Sequence, residues 1–179
     1  MKKSLVPLLL CCLLLSGCAS GAQQRYLAFS QELAARDTLS FTAELTASYP
    51  QRNVAFTLRF DQQDGVRRVT VLSPASISGV SARVEQGGTA LEYDGLILDT
   101  GDLDAYGLSP MSALPLMVEA LCRGHADAFW EDEGLAYVEL LYDDHTTVQV
   151  AFDEAMVPCR CEWICDGTVA VSCEIQNWS

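Results

Sequence analysis

Cysteine and histidine are the residues here with the widest chemical repertoire, and the 179-residue chain holds eight of the first and two of the second. His125 follows Gly124 in a polar stretch, and His145 follows Asp143-Asp144 at a turn. A serine nucleophile served by histidine is usually presented on a strained Gly-x-Ser-x-Gly elbow, and no such sequence occurs. Both histidines therefore read as solvated loop residues, and no catalytic residue is assigned. Asp102-x-Asp104-x-Tyr106-Gly107 has the opening spacing of a calcium loop, but its twelfth position is Ala113 instead of the bidentate Glu. It reads as an acidic turn. Asp127, Glu131, Asp132 and Glu133 read as a solvated surface, with Trp130 among them covering the edge of a sheet.

The later cysteines follow the pattern Cys159-x-Cys161-x₃-Cys165-x₇-Cys173, with Cys122 upstream. This lacks the paired Cys-x₂-Cys spacing of a structural zinc site, so no metal and no cofactor are assigned. Asp166-Gly167 marks a hairpin. A three-residue loop, Cys165 to Gly167, sets Trp163 against Val169, Cys161 against Val171 and Cys159 against Cys173, all on one apolar face. A two-residue loop would pair Cys173 with Arg160 and split the apolar set between two faces. The first register makes Cys159 and Cys173 a candidate disulfide, or simply a pair of small core residues.

Cys18 differs from these in its setting. Met1-Lys2-Lys3-Ser4 is positive, and Leu5 to Leu15 is apolar apart from Pro7. That run falls short of the roughly 20 residues needed to cross a bilayer and fits a secretory leader. Leu15-Ser16-Gly17-Cys18 resembles the bacterial lipobox, in which small residues admit a peptidase and the thiol accepts a diacylglyceryl group. Residues 1–17 are expected to be a lipoprotein signal peptide. Residues 18–22 follow as lipidated Cys18 and a short tether, with one domain over residues 23–179. Two or more acyl chains anchor stably, at about 0.8 kcal/mol per buried CH₂.

The expected mature chain keeps nine Arg and no Lys against 24 acidic groups, a formal charge of −15. Such a surface repels nucleic acid and anionic headgroups. Half of the residues are hydrophobic, enough for a real core in a single domain.

Gln23 to Arg36 has Tyr26, Phe29 and Leu33 on one helical face. The period then changes to two: Phe41, Ala43, Leu45, Ala47 and Tyr49 alternate with polar residues, as do Val54, Phe56, Leu58 and Phe60. Further strands are expected near Val69–Val71, Val80–Val84, Leu91–Tyr93, Leu96–Leu98, Leu135–Tyr142, Thr147–Phe152, Cys159–Ile164 and Val169–Ile175, about ten in a meander. Ser109 to Arg123 carries a second helical stripe of Met111, Leu114, Val118 and Leu121 with Met117 beside it, its regular part confined to the end by Pro110 and Pro115. So many strands, wet on one face and dry on the other, must twist and curl. The fold expected is α+β: one highly curved antiparallel sheet, a half-barrel, with two helices against its concave face.

That order resembles the lipoprotein-carrier (LolA/LolB-like) half-barrel superfamily over residues 23–179. The resemblance is carried by Val69-Thr70-Val71-Leu72-Ser73-Pro74, Ile77-Ser78-Gly79-Val80, Leu91-Glu92-Tyr93-Asp94-Gly95, Leu108-Ser109-Pro110, Ala113-Leu114-Pro115, Val157-Pro158 and the terminal hairpin ending Ile175-Gln176-Asn177-Trp178. It looks most similar to membrane-anchored lipoproteins of Clostridia-like bacteria, germination lipoproteins among them. The resemblance implies a non-enzymatic, extracytoplasmic protein held to the cell membrane by lipid on Cys18. Two functions follow from it. In one, a groove lined by Met111, Leu114, Met117, Val118 and Leu121 takes up an apolar small molecule such as an acyl chain. In the other, that groove is filled by the protein's own side chains, and the outside of the sheet docks an envelope or spore-cortex enzyme.

Overall fold

The computed structural model describes residues 21–85, 88–101 and 108–179. Cys18, the signal peptide and the acidic turn at Asp102 to Gly107 lie outside the described residues. The described residues open with helix α1 (Gly21–Ala34), which starts within the stretch expected to be tether. Six strands follow: β1 (Thr38–Tyr49), β2 (Arg52–Gln63), β3 (Val66–Ser73), β4 (Ser81–Glu85), β5 (Gly88–Tyr93) and β6 (Leu96–Gly101). Helix α2 (Pro110–Arg123) comes next, then β7 (Ala128–Asp132), β8 (Leu135–Leu141), β9 (Thr146–Phe152), β10 (Pro158–Cys165) and β11 (Thr168–Gln176).

All eleven strands form one antiparallel sheet in the order β6-β5-β4-β3-β2-β1-β11-β10-β9-β8-β7. Two meanders thus meet where β1 pairs with β11, from Thr42 opposite Gln176 to Ala47 opposite Val171. The sheet is not closed; it curls into a half-barrel around the two helices, with β6 and β7 at its ends. Two-residue turns do much of the reversing. Asp64-Gly65, Asp94-Gly95, Glu133-Gly134 and Asp166-Gly167 all have positive φ at both residues, the backbone of a type I′ turn, whose twist matches that of the strands it joins.

The strand alternation has its expected physical meaning. Leu39, Phe41, Ala43, Leu45 and Ala47 of β1 are buried on the concave side, while Ser40, Thr42, Glu44, Thr46 and Ser48 face outward. Tyr26, Ser30 and Leu33 of α1 are buried against the same core. Aromatic rings cement the layers. Phe41 stacks between Phe60 and Trp178, each at 4.8 Å, and Phe29 meets Phe152 edge-on at 5.0 Å.

Three expectations need correcting. The eleventh strand is β7, whose acidic residues hid it: as an edge strand it is only half covered, and Trp130 stacks on Tyr137 of β8 at 5.2 Å. Helix α2 is regular from Pro110 onward and runs through Pro115. Pro110 occupies the first helical position, where its missing N–H costs nothing. Ser109 caps the helix by accepting from the Ser112 backbone N–H at 3.1 Å, and the Ser112 hydroxyl accepts from the Ser109 backbone N–H at 3.0 Å. The remaining interior proline removes one helical hydrogen bond, which burial of the whole apolar stripe outweighs.

The third correction is the register of the last hairpin. The loop has two residues, with Cys165 opposite Thr168, and Cys173 stands opposite Cys161, not Cys159. Trp163 faces Val171 while Ile164 faces Val169, so Ala170 is the extra residue of a β-bulge. The bulge reconciles the short turn with a single buried face: Cys161, Trp163, Val171 and Cys173 all enter the core, and Val169 points out.

Candidate functional site

The concave side divides into a filled part and an open part. Helix α2 lays Leu114, Met117, Val118 and Leu121 into the sheet, all of them buried, and Met117 is 0% exposed. Met111 is partly buried at the start of the same stripe. Of the expected groove residues, four are thus core residues packed against strands and α1. An ion pair from Arg67 of β3 to Glu119, at 3.7 Å, spans from the sheet to α2. The helix ends at Gly124, in the left-handed conformation with φ 68. There Ser30 of α1 donates to the Leu121 carbonyl at 2.7 Å, satisfying one of the orphan acceptors of the helix end. Ser30 was missed by sequence reasoning because a lone serine on an apolar face carries no sign of its partner. Burial, followed by the neighbouring Cys122, pushes the Tyr26 phenol well above its ordinary value, so it stays protonated beside this carbonyl.

The open part is found by following one row of paired residues across the sheet. Phe41 stands opposite Phe60, Phe60 opposite Val69, Val69 opposite Ala82, Ala82 opposite Leu91 and Leu91 opposite Leu98. Directly paired residues share a face, so all six lie on the concave side. The first four are buried, Leu91 is half-buried and Leu98 is 64% exposed. Tyr93 and Leu96 continue the same face one pair along, and Leu96 is 75% exposed. The opposite face of β6 presents Ile97, 70% exposed. Three consecutive apolar side chains are therefore exposed on an end strand of the sheet.

The convex side has a different chemistry. Across β2, β1, β11 and β10 a surface depression of about 540 Å³ is lined by Glu44, Thr46, Thr57, Arg160, Glu162, Ser172 and Glu174. Glu44 stands opposite Glu174, which stands opposite Arg160. Three carboxylates and one guanidinium make this an acidic, hydrated face.

The remaining chemistry-bearing residues stay apart. His125 lies 3.7 Å from Asp127, and His145 lies 3.3 Å from Asp166, both in the open. Asp143 is held below the usual carboxylate range, chiefly by the hydrogen bond it accepts from the His145 backbone N–H. Among the described residues no group of three or more His, Cys, Asp or Glu is arranged to hold a metal. No described helix is long and apolar enough to cross a membrane.

No protein-family model and no curated protein matches the chain. Its shape does have solved counterparts. An uncharacterized conserved protein from Thermus thermophilus superposes with a TM-score of 0.53 at 9% identity, over 87% of this chain and 86% of that one. A LolA superfamily protein from Nitrosomonas europaea gives 0.49 at 10%, over 88% and 92%. A chain in the structure of the CwlD amidase from Clostridioides difficile in complex with the GerS lipoprotein gives 0.43 at 12%, over 85% and 91%. The likeness to the Thermus thermophilus protein shows that the chain carries a fold already seen in a solved structure.

Proposed function

We propose that this chain is a lipid-anchored, extracytoplasmic interaction module that binds an envelope protein through the β6 end of its half-barrel. One observation carries the reading: Leu96, Ile97 and Leu98 expose 75%, 70% and 64% of their surface side by side on an end strand. Proteins rarely leave consecutive large apolar residues in water without a use for them. An end strand also offers backbone donors and acceptors to an incoming extended segment, whose side chains alternate between the two faces. Leu96 and Leu98 serve one face and Ile97 the other. The filled space beneath α2 argues in the same direction, since the stripe that would have lined a ligand groove is core. Anchoring rests on the leader and on Cys18, which would hold the module at the membrane through lipid. The charge of −15 on the expected mature chain suits a basic partner and disfavours nucleic acid.

A second reading has one observation in its favour. The concave apolar row, half-covered at Leu91, is open at Tyr93, Leu96 and Leu98, a surface that an acyl chain could lie along. A photo-reactive benzophenone side chain, placed in cells at Ile97 for the outward face and at Leu98 for the concave one, separates the two. The interaction reading expects one discrete protein adduct at Ile97 and none from Thr42, which lies in the same outward row five strands away. Lipid-only adducts, or equal labelling from Ile97 and Thr42, would overturn it.

A further inference from the structure

We propose that Cys161 and Cys173 are joined by a cross-strand disulfide in the exported protein. The two residues stand directly opposite one another on β10 and β11. Both thiols are enclosed, the residues being 1% and 4% exposed. The other described thiols are engaged elsewhere. Cys159 donates to the Ala151 carbonyl at 3.4 Å, Cys165 accepts from the Thr146 hydroxyl at 4.0 Å, and Cys122 lies on α2. Directly opposed residues hold their Cβ atoms about 4.5–5.5 Å apart, and a disulfide wants about 3.5–4.5 Å. The strands must therefore close by roughly 1 Å.

The reaction is exchange with a small disulfide oxidant such as oxidised glutathione. One cysteine thiolate attacks a sulfur of the oxidant, forming a mixed disulfide and releasing one oxidant thiol. The second cysteine thiolate attacks the protein sulfur of that mixed disulfide and releases the other. Two protein thiols lose two protons and two electrons, and the oxidant disulfide becomes two thiols. Both thiols are buried in the folded protein, out of reach of an oxidant, so the bond forms while the hairpin assembles, before the helices cover it. An oxidising compartment is required, so the in-cell part of this proposal rests on the export reading.

The test uses the full lipidated chain in detergent. Unfolded, reduced protein is refolded with a glutathione redox buffer, free thiols are blocked with N-ethylmaleimide in denaturant, and the peptides are mapped without reduction. Cleavage after Arg160, Glu162 and Asp166 separates Cys159, Cys161, Cys165 and Cys173 from one another. The expected map links the Cys161 peptide to the Cys173 peptide and leaves Cys159 and Cys165 blocked. Reduction should lower the melting temperature by about 6–12 °C. Cys159→Ser should keep the link; the wild-type map decides the matter even where Cys161→Ser fails to fold. A blocked Cys173, or one linked to Cys159 or Cys165, overturns the geometry. A correct link after refolding with both thiols blocked in protein taken from cells refutes the in-cell bond and points to the compartment.

Discussion

Met117 decides between a groove and a core. It is 0% exposed and among the largest fully buried side chains. Met117→Leu conserves volume and chemistry, and such swaps cost less than about 1.5 kcal/mol. Met117→Gln keeps the length but places an amide where the surrounding side chains of Leu114, Val118 and Leu121 offer nothing to bond. An unpaired amide costs about 1–3 kcal/mol in proteins, and the lost apolar burial adds about 1.5–2 kcal/mol. The sum is about 3–5 kcal/mol. At about 2–4 °C per kcal/mol for a domain of this size, Met117→Gln should melt about 6–20 °C below the parent. Met117→Leu should stay within about 6 °C. Urea midpoints with unchanged slopes would confirm that stability, not compactness, has moved. A Gln variant that melts within about 2 °C of the parent would refute the packed concavity, because only a wet or ligand-lined site tolerates that amide.

The other expectations follow from the same packing. Gly124→Ala forces a Cβ onto a residue at φ 68 and brings it to 2.9 Å from the Ser30 hydroxyl. It should cost about 2–3 kcal/mol by calorimetry, part strain and part loss of the Ser30 bond to Leu121. Adding Ser30→Ala should cost less in this variant than in the parent, since the clash is then relieved. The Cys173 thiol opposite it, and then burial, push the Cys161 thiol well above its ordinary value, so in the reduced protein the unfolded chain loses this proton at lower pH than the folded one. Stability should therefore fall as pH climbs past about 9, the group's contribution being fully present, and independent of pH, below that. Urea midpoints from pH 7 to 10 in the presence of reductant should show the decline, and Cys161→Ala should flatten it. Leu96→Asp with Leu98→Asp, both on exposed positions, should leave urea stability within about 1 kcal/mol while abolishing the protein adduct at Ile97.

How much of this was legible depended on the range of the interaction involved. The period-two pattern of Phe41 to Ala47 and the Asp-Gly turns are local, and they located the strands and the curl of the sheet. The bulge at Ala170 was not legible, because it answers to a demand made by the whole sheet: Trp163, Cys161, Val171 and Cys173 must share one face despite a two-residue turn. Strand β7 hid behind Glu131 and Asp132, which an end strand can keep in water. Ser30 gave no signal, since its partner at Leu121 lies 91 residues away. The Met and Leu stripe of α2 was visible as an apolar face, but sequence could not tell a filled concavity from an empty one. That depends on how far Phe41, Phe60, Phe152 and Trp163 reach toward the helix. Leu96 and Leu98 read as ordinary strand interior for the same reason: they share the concave face with Phe41, and only distance from the helices leaves them bare.

Native mass spectrometry of the detergent-extracted protein weighs the covalent anchor and the contents of the half-barrel together. The expected spectrum shows a chain beginning at Cys18 with diacylglyceryl covalently attached and no other small molecule retained. Cys18→Ala should remove that mass and release the protein from membranes. One equivalent of an unattached fatty acid or phospholipid on the parent protein, reduced in Met117→Gln, would contradict the filled concavity and restore the ligand groove.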